Sequence, residues 1–409
     1  MTAVSPAAPA TNPAPDAIDP FFELIPDGLW NACIGVQGSE EAYVDGYLEA
    51  ARELVAAVID KQMFGSRDSL AMPILYNCRH AIELSLKFVI DHLHVAGMIA
   101  QRHKADHDIK SHWAHLRDAR VGDARLADLI GQLEPFVVSL AAIDDDGQEL
   151  RYARNRAGDR SLGGLAVVNL PHIRRSIDRL GGVLDGLKAR VVELEDDRLT
   201  GAHTAECSRD DLTAIADMVG PHSEWVEPAF LERKAAVMER FGLSSGKFSQ
   251  ALTAIRRSRP LAARVGIETP LRHLADDTAV AVLHAWMKAH PVRTPVQGDL
   301  GSSHFKPDVA AMTAFHRTRQ AVEAAMTGLL TPETLADMET IYYLGRNREQ
   351  GEHYDENLDR TLRQSAASGR PMGRLGDLAG KTNLLEGFAD GAEAAGRPSL
   401  ARAVRALRP

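Results

Sequence analysis

The strongest constraint in this chain is an apolar spacing. Ile173, Ile177, Leu180, Leu184, Leu187, Val191 and Leu194 alternate by four and three residues. Side chains spaced this way share one stripe of an α-helix. A stripe held over three heptads must be covered by other helices, inside a bundle or between two subunits. Asn169 and Pro171 suit its start, because Asn caps free amides and Pro fits a first turn. A seam of seven apolar residues is more than a solvated helix keeps exposed, so it is expected to contribute to a homodimer.

The same period recurs along most of the chain. In "PILYNCRHAIELSLKFVIDHL", Leu75, Cys78, Ile82, Leu86, Val89 and Leu93 make a buried stripe, while Arg79, Glu83 and Lys87 stand four apart on another face. Further helices are predicted over about 40–61 and 125–142, which gives a bundle over residues 39–196. The polar run Glu195–Asp211 marks a boundary, and residues 197–409 read as a second all-helical region. Helices are expected there over about 225–241, 249–257, 278–289 and 308–329, with a lid or subdivision at the Gly/Pro-punctuated loop 290–307. Thr331, Pro332 and Glu333 open another helix, and Gly345 is placed to end it in a left-handed conformation. "ELRYA" and "GGLAVVNL" are the only strand-like pieces. The predicted fold class is all-α.

Composition removes several function classes. Net charge is −9 with pI near 6.0, which argues against broad, non-specific adhesion to nucleic acid. Arg151, Arg154, Arg156 and Arg160 nevertheless crowd "RYARNRAGDR" as candidate phosphate-binding residues. Cys33, Cys78 and Cys207 are too few and too scattered for a disulfide framework or a metal knuckle, which suits a reducing cytoplasm. The Ala/Pro-rich residues 1–38 read as a disordered lead-in without the marks of a secretory signal. No run reaches the roughly 20 apolar residues of a membrane span, so a cytoplasmic location is expected.

Three pieces in order resemble the HEPN superfamily, helical domains of prokaryotic toxin, antiphage-defence and RNA-processing systems. They are "RHAIELSLK" with Glu83 and Lys87, "HKADHDIKSHW" with His107 and Asp108, and "LRYARN", within residues 40–195. The resemblance implies a helical bundle that binds RNA or cleaves it without metal or other cofactor. It implies Glu83, Lys87, His107 and Asp108 as structural matches, and a partner protein within a defence or toxin–antitoxin module. Catalytic members carry an Arg, four to six residues, then a His. The guanidinium holds phosphate and the imidazole moves protons.

The bundle departs from that pattern, since His172 lies sixteen residues beyond Arg156. The resemblance therefore implies a silent bundle, unless "GRNREQGEHYD" (345–355) supplies the chemistry. Six residues separate Arg346 from His353 there, and four separate Arg348 from His353. The same spacing recurs at Arg102–His107 and Arg198–His203, so spacing alone decides nothing. Asn347 after the arginine and the helix–helix junction favour Arg346, Asn347 and His353 as the catalytic set, provided the helix breaks so that the side chains converge. The alternative is a non-catalytic helical scaffold for self-association or partner binding. A third class, a metal-dependent hydrolase, would use the histidines from His92 to His115. His103 and His107 are four apart with Asp106 and Asp108 nearby, but no complete ligand motif is present and no metal is expected.

Overall fold

The computed structural model describes residues 21, 28–33, 38–104, 106–154, 158–164, 167–289, 309–370 and 372–407. Among them are sixteen α-helices, two short 3-10 turns and no strand. The fold is all-α. Neither strand-like piece forms a strand among the described residues, and one isolated bridge lies between them, from Arg154 to Arg160. No helix is long and apolar enough to cross a membrane. Most of residues 1–38, the loop 290–307 and Arg156 lie outside the described residues.

Buried apolar side chains form three cores. The first belongs to α1 (Glu40–Asp60), α2 (Arg67–Val95), α3 (Ile109–Asp118), α4 (Ala124–Ala141) and α5 (Leu170–Leu199). Asn169 caps α5 through the His172 amide at 2.9 Å. Every residue of the seam from Ile173 to Leu194 is buried within this one chain, in the core that α1, α2 and α4 share with α5. This corrects the expectation of a homodimer through the seam. Its apolar surface is already spent, at about 1.5–3 kcal/mol for each large aliphatic side chain, and none of it is left for a second copy.

The second core lies among α6 (Arg209–Val219), α7 (Ala229–Arg240), α8 (Ser245–Arg257) and α9 (Arg259–Arg264). The third belongs to α10 (Asp276–Ala289), α11 (Val309–Thr327), α12 (Pro332–Arg346), α13 (Tyr354–Ala367), α14 (Leu375–Ala379), α15 (Leu384–Ala394) and α16 (Pro398–Arg405). Thr331 caps α12 as its sequence predicts. Gly345 does not end the helix in a left-handed conformation. It stays helical, and Arg348, at φ 55°, takes the left-handed turn instead. Gly345 serves close approach: a Cβ there would sit 2.2 Å from the Gly387 carbonyl oxygen of α15.

Candidate functional site

Helix α2 carries Tyr76, His80, Glu83 and Lys87 at a four-three-four spacing, which aligns them on one face. Two loops close over that face. The first ends where Asp108 caps α3 by accepting from the Ser111 amide at 3.0 Å, which leaves His107 just outside the helix. The second follows α4 and brings Asp144, Asp145, Gly147 and Arg151.

Arg79 pins both loops to α2. Its side chain is 1% exposed. Its Nε donates to the Asp144 carbonyl at 2.7 Å, and Nη2 donates to the carbonyls of Asp145, at 2.7 Å, and of His107. Nη1 donates to Glu83 Oε2 at 3.0 Å. Glu83 is equally hidden, and its Oε1 accepts from Lys87 Nζ at 2.6 Å and meets His107 Nδ1 at 2.8 Å. His80 Nδ1 lies 3.8 Å from Glu83 Oε2. One carboxylate thus faces two cations and two imidazoles. Burial pushes the Glu83 pKa up, but the nearby His80 imidazole and the hydrogen bonds from Lys87 and His107 overcome it and hold the group well below the usual carboxylate range.

This geometry leaves reactive atoms at the surface. The His107 side chain is 62% exposed, and with Nδ1 held by Glu83 its Nε2 is the nitrogen available to a substrate. His80 stacks on Tyr76 at 5.6 Å and meets Tyr47 edge-on at 4.4 Å. The Arg151 guanidinium lies over Tyr76 at 5.4 Å and Tyr152 at 5.5 Å. A Cβ on Gly147 would come within 3.1 Å of Arg79 Nη1 and 3.5 Å of Arg151 Nη2, so the two guanidiniums flank that glycine. A carboxylate that orients imidazole, beside an ammonium and a guanidinium, is equipped to bind phosphate and move protons.

Of the four arginines predicted to hold phosphate, Arg151 alone is seen in this cluster. Arg154 donates to the Gly158 carbonyl at 2.8 Å and closes its own loop, while Arg160 is exposed at the bridge. Arg156 is not described. Glu83, Lys87 and His107 meet at one point, and Asp108 acts through its cap. His80 and Tyr76 were missed by motif spacing, although the four-three-four polar stripe on an otherwise apolar helix carries their signal.

The stretch 345–355 breaks the helix but assembles no comparable site. Arg346 is exposed and lies over Tyr343 at 5.9 Å, Asn347 donates to Glu349 at 2.9 Å, and His353 ends the 3-10 turn Gly351–His353. No hydrogen bond or ion pair among the described residues joins Arg346 to His353. The nearly buried carboxylate of the stretch is that of Glu352, which accepts from Arg209 at 3.0 and 3.1 Å and from Ser258 at 2.8 Å. Gln350 donates to Asp197 of α5 at 3.2 Å. These contacts tie the three cores together.

Among the histidines, His107 is turned to Glu83 and does not pair with His103. His103 gathers instead with Asp106 and His112, with one ligand atom from each within 4.8 Å of the others. Burial holds the His112 pKa below that of an ordinary histidine.

No protein-family model, curated protein or solved structure matches this chain.

Proposed function

We propose that this chain is a HEPN-like protein whose bundle, against the silence that the resemblance implies for it, binds single-stranded RNA and cleaves it without a metal at the Glu83 cluster of α2. The observation that carries this reading is the buried Glu83 carboxylate, hydrogen-bonded to His107 and Lys87 and facing His80. One imidazole takes the proton of the 2′-hydroxyl as its oxygen attacks phosphorus. The bond from phosphorus to the 5′-oxygen breaks, and the other imidazole gives that oxygen a proton. The products are a 2′,3′-cyclic phosphate and a free 5′-hydroxyl. Lys87 and Arg151 offset the phosphate charge. Tyr76 and Tyr152 provide faces for unpaired bases. Placement in a prokaryotic defence or toxin–antitoxin module follows from the resemblance over residues 40–195 alone.

Kinetics of variants test this reading. His107→Ala and His80→Ala are each expected to lower kcat by about 10²–10⁴-fold. Arg151→Ala is expected to raise KM with a smaller effect on kcat. Arg346→Ala and His353→Ala should leave both constants unchanged. Undiminished cleavage in His107→Ala, or loss confined to His353→Ala, would overturn the assignment. One observation favours the scaffold reading: the buried Arg79 donates to the Asp144, Asp145 and His107 carbonyls and to Glu83, and so is used to pin two loops to α2. A folded wild-type chain that leaves RNA intact would support that alternative.

A further inference from the structure

We infer that His103, Asp106 and His112 form a site for one divalent, imidazole-preferring metal ion such as zinc. The site neighbours the Glu83 cluster, whose Lys87 lines the same cleft as His103 and His112, but it does not depend on the RNA reading. His112 sits in the first turn of α3, and the preceding loop carries His103 and Asp106. His112 Nε2 lies 3.1 Å from Asp106 Oδ1, and His103 Nδ1 lies 3.9 Å from the same oxygen. Ligand atoms around one tetrahedral zinc, at about 2.0–2.1 Å from the metal, are about 3.3 Å apart. Small side-chain rotations would bring this set to that geometry.

The surroundings suit coordination. The two imidazole rings stand 4.1 Å apart, with side chains only 10% and 2% exposed. Two nearly buried imidazoles face one carboxylate here, and the His112 Nε2 that would bind the metal now meets the Asp106 carbonyl at 3.2 Å. His103 Nε2 meets the Ser111 hydroxyl at 2.8 Å, which orients the ring from behind as outer-sphere partners of metal ligands do. Coordination through Nδ1 would exchange its present contact with the Lys104 carbonyl, at 2.9 Å, for the metal. Lys104 Nζ lies 2.9 Å from Asp106 Oδ2 on a side chain that is 72% exposed. It therefore takes the other carboxylate oxygen and is free to withdraw when a divalent ion binds. His103 and His112 also line a cleft of about 390 Å³, from which water can fill the fourth position.

Zinc binding to the chelator-stripped full chain tests the inference. A chromophoric chelator competing for zinc reads stoichiometry and affinity, and thermal unfolding gives a second readout. The wild type should bind about one zinc ion per chain and melt at a higher temperature with zinc present, because a ligand of the native state stabilises it. His103→Ala and Asp106→Asn should each weaken zinc binding by about tenfold or more and lose most of the thermal shift. His115→Ala, outside the set, should behave as wild type. Circular dichroism confirms that each variant is folded, and Asp106→Asn preserves side-chain volume. No bound zinc in the wild type, or equal affinity in a folded Asp106→Asn protein, would overturn the inference.

Discussion

Glu83 is a carboxylate almost shut off from water, and its ionised state is kept by its neighbours. Its pKa in the native protein is held below the ordinary value of 4.5 by the nearby His80 imidazole and by hydrogen bonds from Lys87 and His107, which together outweigh burial. The native state thus gives up this proton more readily than the unfolded chain. The resulting stabilisation is complete above about pH 4.5 and is lost as pH falls below that value. Glu83→Gln should therefore be less stable than wild type at neutral pH, with the difference narrowing as the medium is acidified towards pH 3. Urea unfolding of both proteins across that range checks the sign, and a difference that widens on acidification would contradict it. Glu83 and Lys87 are legible as a four-residue pair, and His107–Asp108 as a helix start. The ring of His107 reaching Glu83 across 24 positions is not, because the loop that turns it has no periodic signature. Arg79 binds backbone carbonyls, which every residue type offers alike.

At the scale of elements, the apolar period correctly locates α1, α2, α4 and α5. It cannot say whether the α5 stripe meets its own bundle or another subunit, since both demand the same residues. Glycine roles are equally ambiguous in a sequence. Gly345, Gly387 and Gly391 all serve the contact of α12 with α15, where a Cβ on Gly391 would lie 1.8 Å from the Ile341 carbonyl oxygen. A methyl group there cannot rotate away from backbone. Gly391→Ala should force the two helices apart and cost about 3 kcal/mol, read as a lower denaturation midpoint. An unchanged midpoint would show that the helices do not pack this closely.

Across the whole molecule, three cores are joined by side chains that sequence spacing had pointed to for a different purpose. Glu352 belongs to the stretch singled out for catalysis, yet its carboxylate is spent on Arg209 and Ser258. Its partners come from 143 and 94 positions away, so no local pattern reveals them. Glu352→Ala should raise hydrogen exchange in α13 and at the start of α6 while leaving α1 and α2 protected, and RNA cleavage should persist. Matching loss of protection in α2 would instead mean that the chain unfolds as one unit. The central claim is that the Glu83 cluster cuts RNA through the 2′-hydroxyl. Its most direct test offers purified wild-type and His107→Ala chains a DNA oligonucleotide containing a single ribonucleotide, alongside an all-deoxy copy, and identifies the cut ends by mass spectrometry. The wild type should cut only after the ribonucleotide and leave a 2′,3′-cyclic phosphate there, and His107→Ala should leave the strand uncut over the time in which the wild type cuts it. An uncut ribonucleotide with the wild type, equal cutting of the all-deoxy copy, or the same cyclic end formed at the wild-type rate by His107→Ala would contradict it.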